Sequence, residues 1–95
     1  MARSRSLTDE QMQAIARALA DPRRFAILQQ IASHTECTQC SALHEQQILS
    51  PATISHHLKE LAEAGLIDVR REGRTAALSL RRETWNAYLA GLARI

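Results

Sequence analysis

Ser50-Pro-Ala-Thr-Ile-Ser-His-His-Leu-Lys-Glu-Leu-Ala-Glu-Ala-Gly-Leu66 reads as a helix with both of its ends written in. Ser50 is a residue type that caps an N-terminus, Pro51 suits the first helical position, and Gly65 can take the left-handed conformation just past the C-terminus. Ile54, Leu58 and Leu61 fall on one stripe at helical spacing, which predicts a buried inner face. Ala52, Thr53, His56 and Lys59 point the other way and form a polar outer face.

Upstream of this helix, Thr8 and Gln11 make a capping-box pattern with Leu7 and Met12 as its hydrophobic staple, so a helix is expected from Asp9. Met12, Ile15, Ala16 and Leu19 supply its apolar stripe, which stops at Ala20. Asp21-Pro22 opens a second helix carrying Phe25, Ile27, Leu28, Ile31 and Ala32, apolar over an arc wide enough to be central. His34 to Thr38 is polar and turn-like, and Thr38 can cap a short third helix to Gln46 that buries Leu43. A short helix joined within a few residues to the capped helix at Ser50 is a helix-turn-helix pattern, although its turn lacks the expected glycine.

Downstream of Gly65 the apolar period drops from about 3.6 residues to about 2. Ile67 and Val69 alternate with Asp68 and Arg70, and Ala76, Leu78 and Leu80 alternate with Ala77 and Ser79, with Glu72-Gly73 between the two runs. This predicts a two-stranded hairpin with Arg70, Arg71 and Arg74 near its tip, packed on the helices. Trp85, Tyr88, Leu89 and Leu92 then repeat at helical spacing toward the end of the chain. The expected fold class is mainly α with a small β-hairpin, in the order α-α-α-α-β-β-α.

Composition agrees. The 95 residues make one domain, and with one Phe, one Tyr and one Trp the core must be Leu, Ile and Ala packed between helices. Net charge is only +2, but eleven of the twelve basic residues are arginines, nine of them grouped at Arg3/Arg5, Arg23/Arg24, Arg70/Arg71/Arg74 and Arg81/Arg82. Grouped positive charge, rather than its sum, points to a polyanionic partner. Residues 1–8 read as a flexible basic N-terminal arm and residues 9–95 as the folded domain. No stretch has the length and apolarity of a membrane span or a signal peptide, so a soluble, cytoplasmic protein is expected. Paired carboxylates, a Ser-His-Asp arrangement, a P-loop and a dinucleotide fingerprint are all missing from the sequence, which argues against an enzyme.

The order of elements is that of a winged helix-turn-helix. The segments Ala18-Leu-Ala-Asp-Pro-Arg-Arg-Phe-Ala-Ile-Leu28, Ala52-Thr-Ile-Ser-His-His-Leu-Lys-Glu-Leu61 and Ala64-Gly-Leu-Ile67 resemble the ArsR/SmtB family of bacterial repressors. The resemblance extends over most of the chain and its motifs are specific in combination. It implies a homodimer whose first and last helices form the interface, binding a palindromic operator in double-stranded DNA and often released by a metal or another inducer. Met12, Ile15, Leu19, Trp85, Tyr88, Leu89 and Leu92 are then the candidate dimer interface, with the core of the single chain as the competing assignment.

Under that resemblance the helix beginning at Ser50 enters the major groove. Ala52 can touch a thymine methyl, Thr53 and Ser55 can bond bases or phosphates, His56 can donate to a base edge, and Lys59 suits phosphate. Arg70, Arg71 and Arg74 would lie along the neighbouring backbone or in the minor groove and supply salt-dependent affinity. Taken singly, either element has a plainer reading, a solvated helix face or charges that discourage edge pairing. Both in this order favour DNA. A winged helix that contacts protein instead of DNA is the rival from another class.

His34, Cys37, Cys40 and His44 form an H-x2-C-x2-C-x3-H cluster. Thiolate with imidazole suits Zn(II), whereas two close thiolates suit thiophilic ions such as As(III) or Cu(I). A redox pair, or two cysteines acting as small apolar residues, are the other readings. The family's arsenic sensors carry a tighter Cys-x-Cys pair, and its metal site on the final helix uses acidic and His residues. Arg81 to Ile95 holds no His and only Glu83, so that second site is not expected here.

Overall fold

Helices in this chain begin where a side chain can accept from the backbone N–H groups that the first turn leaves free. In the computed structural model, which describes residues 6–33, 38–39 and 50–95, α1 spans Asp9–Ala18 and α2 spans Pro22–Ala32. The Thr8 side chain accepts from the Gln11 amide at 3.1 Å while the Thr8 amide donates to Gln11 Oε1 at 2.8 Å, so the capping box closes from both sides. Asp21 Oδ1 accepts from the amides of Arg23 at 2.8 Å and Arg24 at 3.3 Å, with Pro22 in the first turn. Helix α3, Pro51–Glu63, starts at Ser50, whose Oγ accepts from the Thr53 amide at 3.2 Å.

The end of α3 is a Schellman turn. The Gly65 amide donates to the Ala62 carbonyl and the Leu66 amide to the Leu61 carbonyl, each at 3.0 Å. Gly65 sits at φ +82°, a conformation that costs a residue with a Cβ. The turn delivers the chain into β2, Ile67–Glu72, which pairs antiparallel with β3, Thr75–Leu80. The Glu72↔Thr75 pair closes a two-residue loop of Gly73 and Arg74, and φ at Gly73 is +65°, the glycine-first hairpin turn. Helix α4, Arg82–Ala93, follows. No side chain caps it; the Arg81 amide instead donates to the Leu66 carbonyl at 2.8 Å and pins the helix start to the base of the hairpin.

Four expectations need correction. Thr38 caps no helix: Thr38–Gln39 form a short strand, β1, antiparallel to β3 with Thr38 opposite Leu78 and Gln39 opposite Ala77. The hairpin is thus part of a three-stranded sheet of order β1-β3-β2. The remainder of the expected third helix lies outside the described residues. Second, Ala77 is buried alongside Ala76 and Leu78, because the middle strand is flanked on both edges and α2 packs on it, whereas Val69 on the outer strand is left 38% exposed. Third, Phe25 is exposed at the start of α2, whose inner face is Ile27, Leu28 and Ile31.

The fourth concerns the apolar stripes of α1 and α4. Ile15, at 1% exposure, and Tyr88 are packed in the chain's own core, so neither has surface to offer a partner; Met12, Leu19 and Trp85 pack against that core from its margin. Only Leu89 and Leu92 of the expected interface are exposed. The core itself joins Ile15 and Ala18 of α1, Ile27, Leu28 and Ile31 of α2, Ile54, Leu58 and Leu61 of α3, Leu66 of the turn after it, and Ile67 and Leu78 of the sheet. Helices and wing therefore share one apolar centre, and the position of α3 depends on all of them. Among the described residues no helix is long and apolar enough to cross a membrane.

Candidate nucleic-acid interface

Burying Ile54, Leu58 and Leu61 forces the opposite side of α3 outward, because helical residues three and four apart share a face. Ala52, Ser55, His56 and Lys59 are exposed, as is Ser50 at the cap, and Thr53 is half-buried. Ser50 Oγ and Thr53 Oγ1 are 2.9 Å apart, so the two hydroxyls share a hydrogen bond in the free protein and either can be redirected to an acceptor.

The wing arginines do not form one cluster. Alternation along β2 places Arg71 and Val69 on the side facing α3, where they line a groove of about 500 Å³ with Ser55, Leu58, Lys59, Ala62 and Ala76. Arg70 falls on the other side of the strand, next to Glu72, with Arg70 Nε 3.6 Å from a Glu72 carboxylate oxygen. Arg74 occupies the turn. One hydroxyl and two cations from α3 and β2 thus converge on a concave strip, a shape and charge suited to a phosphate chain.

Sequence reasoning missed His57. It occupies the i+3 slot of the stripe that begins at Ile54, and it is buried at 2% exposure. Its Nδ1 accepts from Arg24 Nε at 3.2 Å, which requires the neutral ring with its proton on Nε2; Nε2 is buried with no hydrogen-bond partner among the described residues. Arg24 also donates through Nη1 to the Ala18 carbonyl at 3.3 Å, near the end of α1. Burial is the main cause that pushes the pKa of His57 down; Asp21 acts upward against it, Arg24, Arg23 and His56 act downward, and the result lies below the ordinary value. At Asp21 burial acts upward but is outweighed by the amides of Arg23 and Arg24 and by the positive charge of Arg23, so its carboxyl lies below the usual value. A polar strut therefore runs from the junction of α1 and α2 into the inner face of α3. His34, Cys37, Cys40 and His44 lie outside the described residues.

Comparison with known proteins agrees with this architecture. The sequence pattern of a family described as "Helix-turn-helix domain" matches residues 19–70. An uncharacterized HTH-type transcriptional regulator of Bacillus subtilis, YceK, is 36% identical over 85 residues, covering 88% of this chain and 85% of the relative. The crystal structure of an ArsR family transcriptional regulator superposes with a TM-score of 0.82 at 28% identity, covering 95% of this chain and 91% of that one. The crystal structure of a protein described as "the predicted DNA-binding transcriptional regulator from E. coli" superposes with a TM-score of 0.66 at 30% identity, covering 90% of this chain and 88% of that one. These relatives are regulators of transcription, not enzymes. A helix-turn-helix pattern matching more than half of the chain, carried on a winged fold shared with such regulators, shows that this chain belongs to the ArsR family of winged helix-turn-helix DNA-binding transcriptional regulators.

Proposed function

We propose that the protein is a cytoplasmic homodimeric repressor that binds an inverted-repeat operator through α3 and the wing. The observation that carries this reading is the groove in which Ser55 and Lys59 of α3 meet Arg71 of β2. Under it, Ala52, Thr53, Ser55 and His56 read base edges, Ser50 and Lys59 contact the backbone, and Arg71 and Arg74 hold the flanking phosphates. Arg70, partnered by Glu72, contributes less. Leu89 and Leu92 of α4, at 46% and 43% exposure, supply the apolar surface that a second copy covers. Two-fold symmetry then sets the two copies of α3 roughly 34 Å apart along the duplex.

Thiol chemistry at Cys37 and Cys40, by Zn(II), As(III) or an oxidant, is the effector input that their spacing supports, with His34 and His44 as further ligands. The two residues between the cysteines, Thr38 and Gln39, are strand β1, so this input is covalently joined to β1 and reaches β3 and the wing through the strand pairing. The test of the whole reading is fluorescence anisotropy with DNA from upstream of the protein's own coding sequence. A salt-sensitive complex that discriminates against scrambled DNA is expected, and its absence refutes the repressor. Repeating the titration with Zn(II), arsenite and peroxide, on wild type and on Cys37→Ser and Cys40→Ser, tests the effector input. An unchanged wild-type affinity in all three removes it.

A further inference from the structure

We propose that Arg24 and His57 are positioning residues for DNA binding: their hydrogen bond holds α3 at its working attitude, and a proton added to His57 breaks it. The inference rests on the DNA-binding reading above. His57 lies one residue from His56 on the outer face, yet its own ring points inward and is buried. The contact it makes is with Arg24 of α2, and Arg24 in turn holds the Ala18 carbonyl of α1. One guanidinium thus ties the recognition helix to both α1 and α2. Neither Arg24 nor His57 lines the groove, so both act through the helix rather than on DNA.

The proton balance makes the tie conditional. An imidazole that accepts at Nδ1 has its single proton on Nε2, and an imidazolium has donors on both nitrogens. Adding a proton at Nδ1 places two N–H donors and two positive charges face to face across a separation of 3.2 Å, and the hydrogen bond cannot persist. The charged groups acting on His57 are Asp21, Arg23 and Arg24 from the start of α2 and His56 from its own helix. Of these Asp21 alone favours the proton, and it is already engaged by the amides of Arg23 and Arg24 and by the Arg23 side chain 3.7 Å away. Nε2–H is buried with no hydrogen-bond partner among the described residues, so Asp21 is left as the sole group acting for the charged ring.

The experiment compares full-length wild type, His57→Asn and His57→Leu by anisotropy titration of the same upstream DNA between about pH 7.5 and 5. Asn places its carbonyl oxygen near the position of Nδ1, accepts from Arg24 and does not titrate; Leu removes the acceptor. Because burial holds the pKa of His57 below its ordinary value, wild-type affinity is expected to hold near neutral pH and to fall toward the acid end of this range, by up to about tenfold, the size of losing one charge-assisted hydrogen bond that orients the reader. His57→Asn should stay within about twofold of its neutral-pH affinity, and His57→Leu should bind about tenfold more weakly at every pH. His56 is present in all three proteins, so its own protonation cancels in the comparison. A His57→Asn profile that parallels wild type overturns the proposal, and so does a His57→Leu affinity equal to wild type at neutral pH. Should His57→Leu fail to fold, the wild-type and His57→Asn profiles decide alone. Nitrogen-15 shifts of the free wild-type protein give a reading independent of DNA. The Nε2–H tautomer of His57 at neutral pH is expected, and the Nδ1–H tautomer refutes the strut. Absence of any wild-type complex at neutral pH counts instead against the DNA-binding reading.

Discussion

Removing Lys59 or Arg71 tests whether the groove between α3 and the wing carries the DNA backbone. Both side chains are exposed at its rim, so Lys59→Ala and Arg71→Ala leave the core intact. Each cation that no longer neutralises a phosphate should lower the slope of log affinity against log salt by about 0.9. Each substitution removes one cation from both copies in the dimer, so over a fourfold rise in salt, from about 50 to 200 mM, wild type loses about 12-fold more affinity than either single variant, and about 150-fold more than the double variant. Arg70→Ala is the internal control. Its side chain lies on the other face of β2 and already pairs with Glu72, so its removal should change the slope by less than half as much. The assay is anisotropy on operator DNA at four or more salt concentrations, with circular dichroism confirming an unchanged fold. A double variant with the wild-type slope, or Arg70→Ala flattening the slope more than Arg71→Ala, refutes the assignment of the groove to phosphate.

Replacing Leu89 and Leu92 together by Glu should convert a dimer at micromolar concentration into a folded monomer in sedimentation velocity, since both side chains are exposed on α4; an unchanged sedimentation coefficient assigns the interface elsewhere. Gly65→Ala should cost about 1 kcal/mol in a denaturant titration, because a Cβ there meets only Thr84 Cγ2 at 3.8 Å and the penalty is the left-handed backbone rather than a clash. Stability should fall as pH drops below 6.5, where the unfolded chain takes up a proton on His57 that the folded chain, its pKa depressed, refuses. The expected loss is present in wild type and reduced in His57→Asn, read from denaturant midpoints at several pH values.

Much of this was legible because its causes are local. Thr8, Asp21, Ser50 and Gly65 each satisfy or release backbone groups within a few residues, so helix starts and the end of α3 follow from short-range chemistry. Strand β1 was not legible. Two residues carry no period, and Thr38 finds its partner only after the chain has returned at Leu78. The stripes of α1 and α4 announced apolar faces without saying what covers them, which is why Ile15 and Tyr88 went to the core while Leu89 and Leu92 stayed exposed. His57 was readable in part. It fills a vacant slot in the stripe from Ile54, but only the position of Arg24 on another helix explains how a polar ring is accommodated there. The same period of two that predicted the wing also separates Arg70 from Arg71, a distinction that becomes functional only once α3 marks one face of β2.

The pairing of β1 with β3 gives the wing the mechanics of a cantilever. β3 is braced on both edges at Leu78 and Ala77, and from Ala76 to the turn its sole strand neighbour among the described residues is β2. Arg70 stands opposite Ala77, level with the brace, while Arg71 and Arg74 ride on the overhang beyond it. That overhang is roughly 10 Å long at the usual rise of a strand. With two strands there among the described residues, its bending stiffness is that of a ribbon, so its tip can follow a groove that widens or narrows with sequence while the root stays in register with α3. Adaptability and alignment are thereby divided along one strand, the first at the arginine-bearing end and the second where β1 holds it.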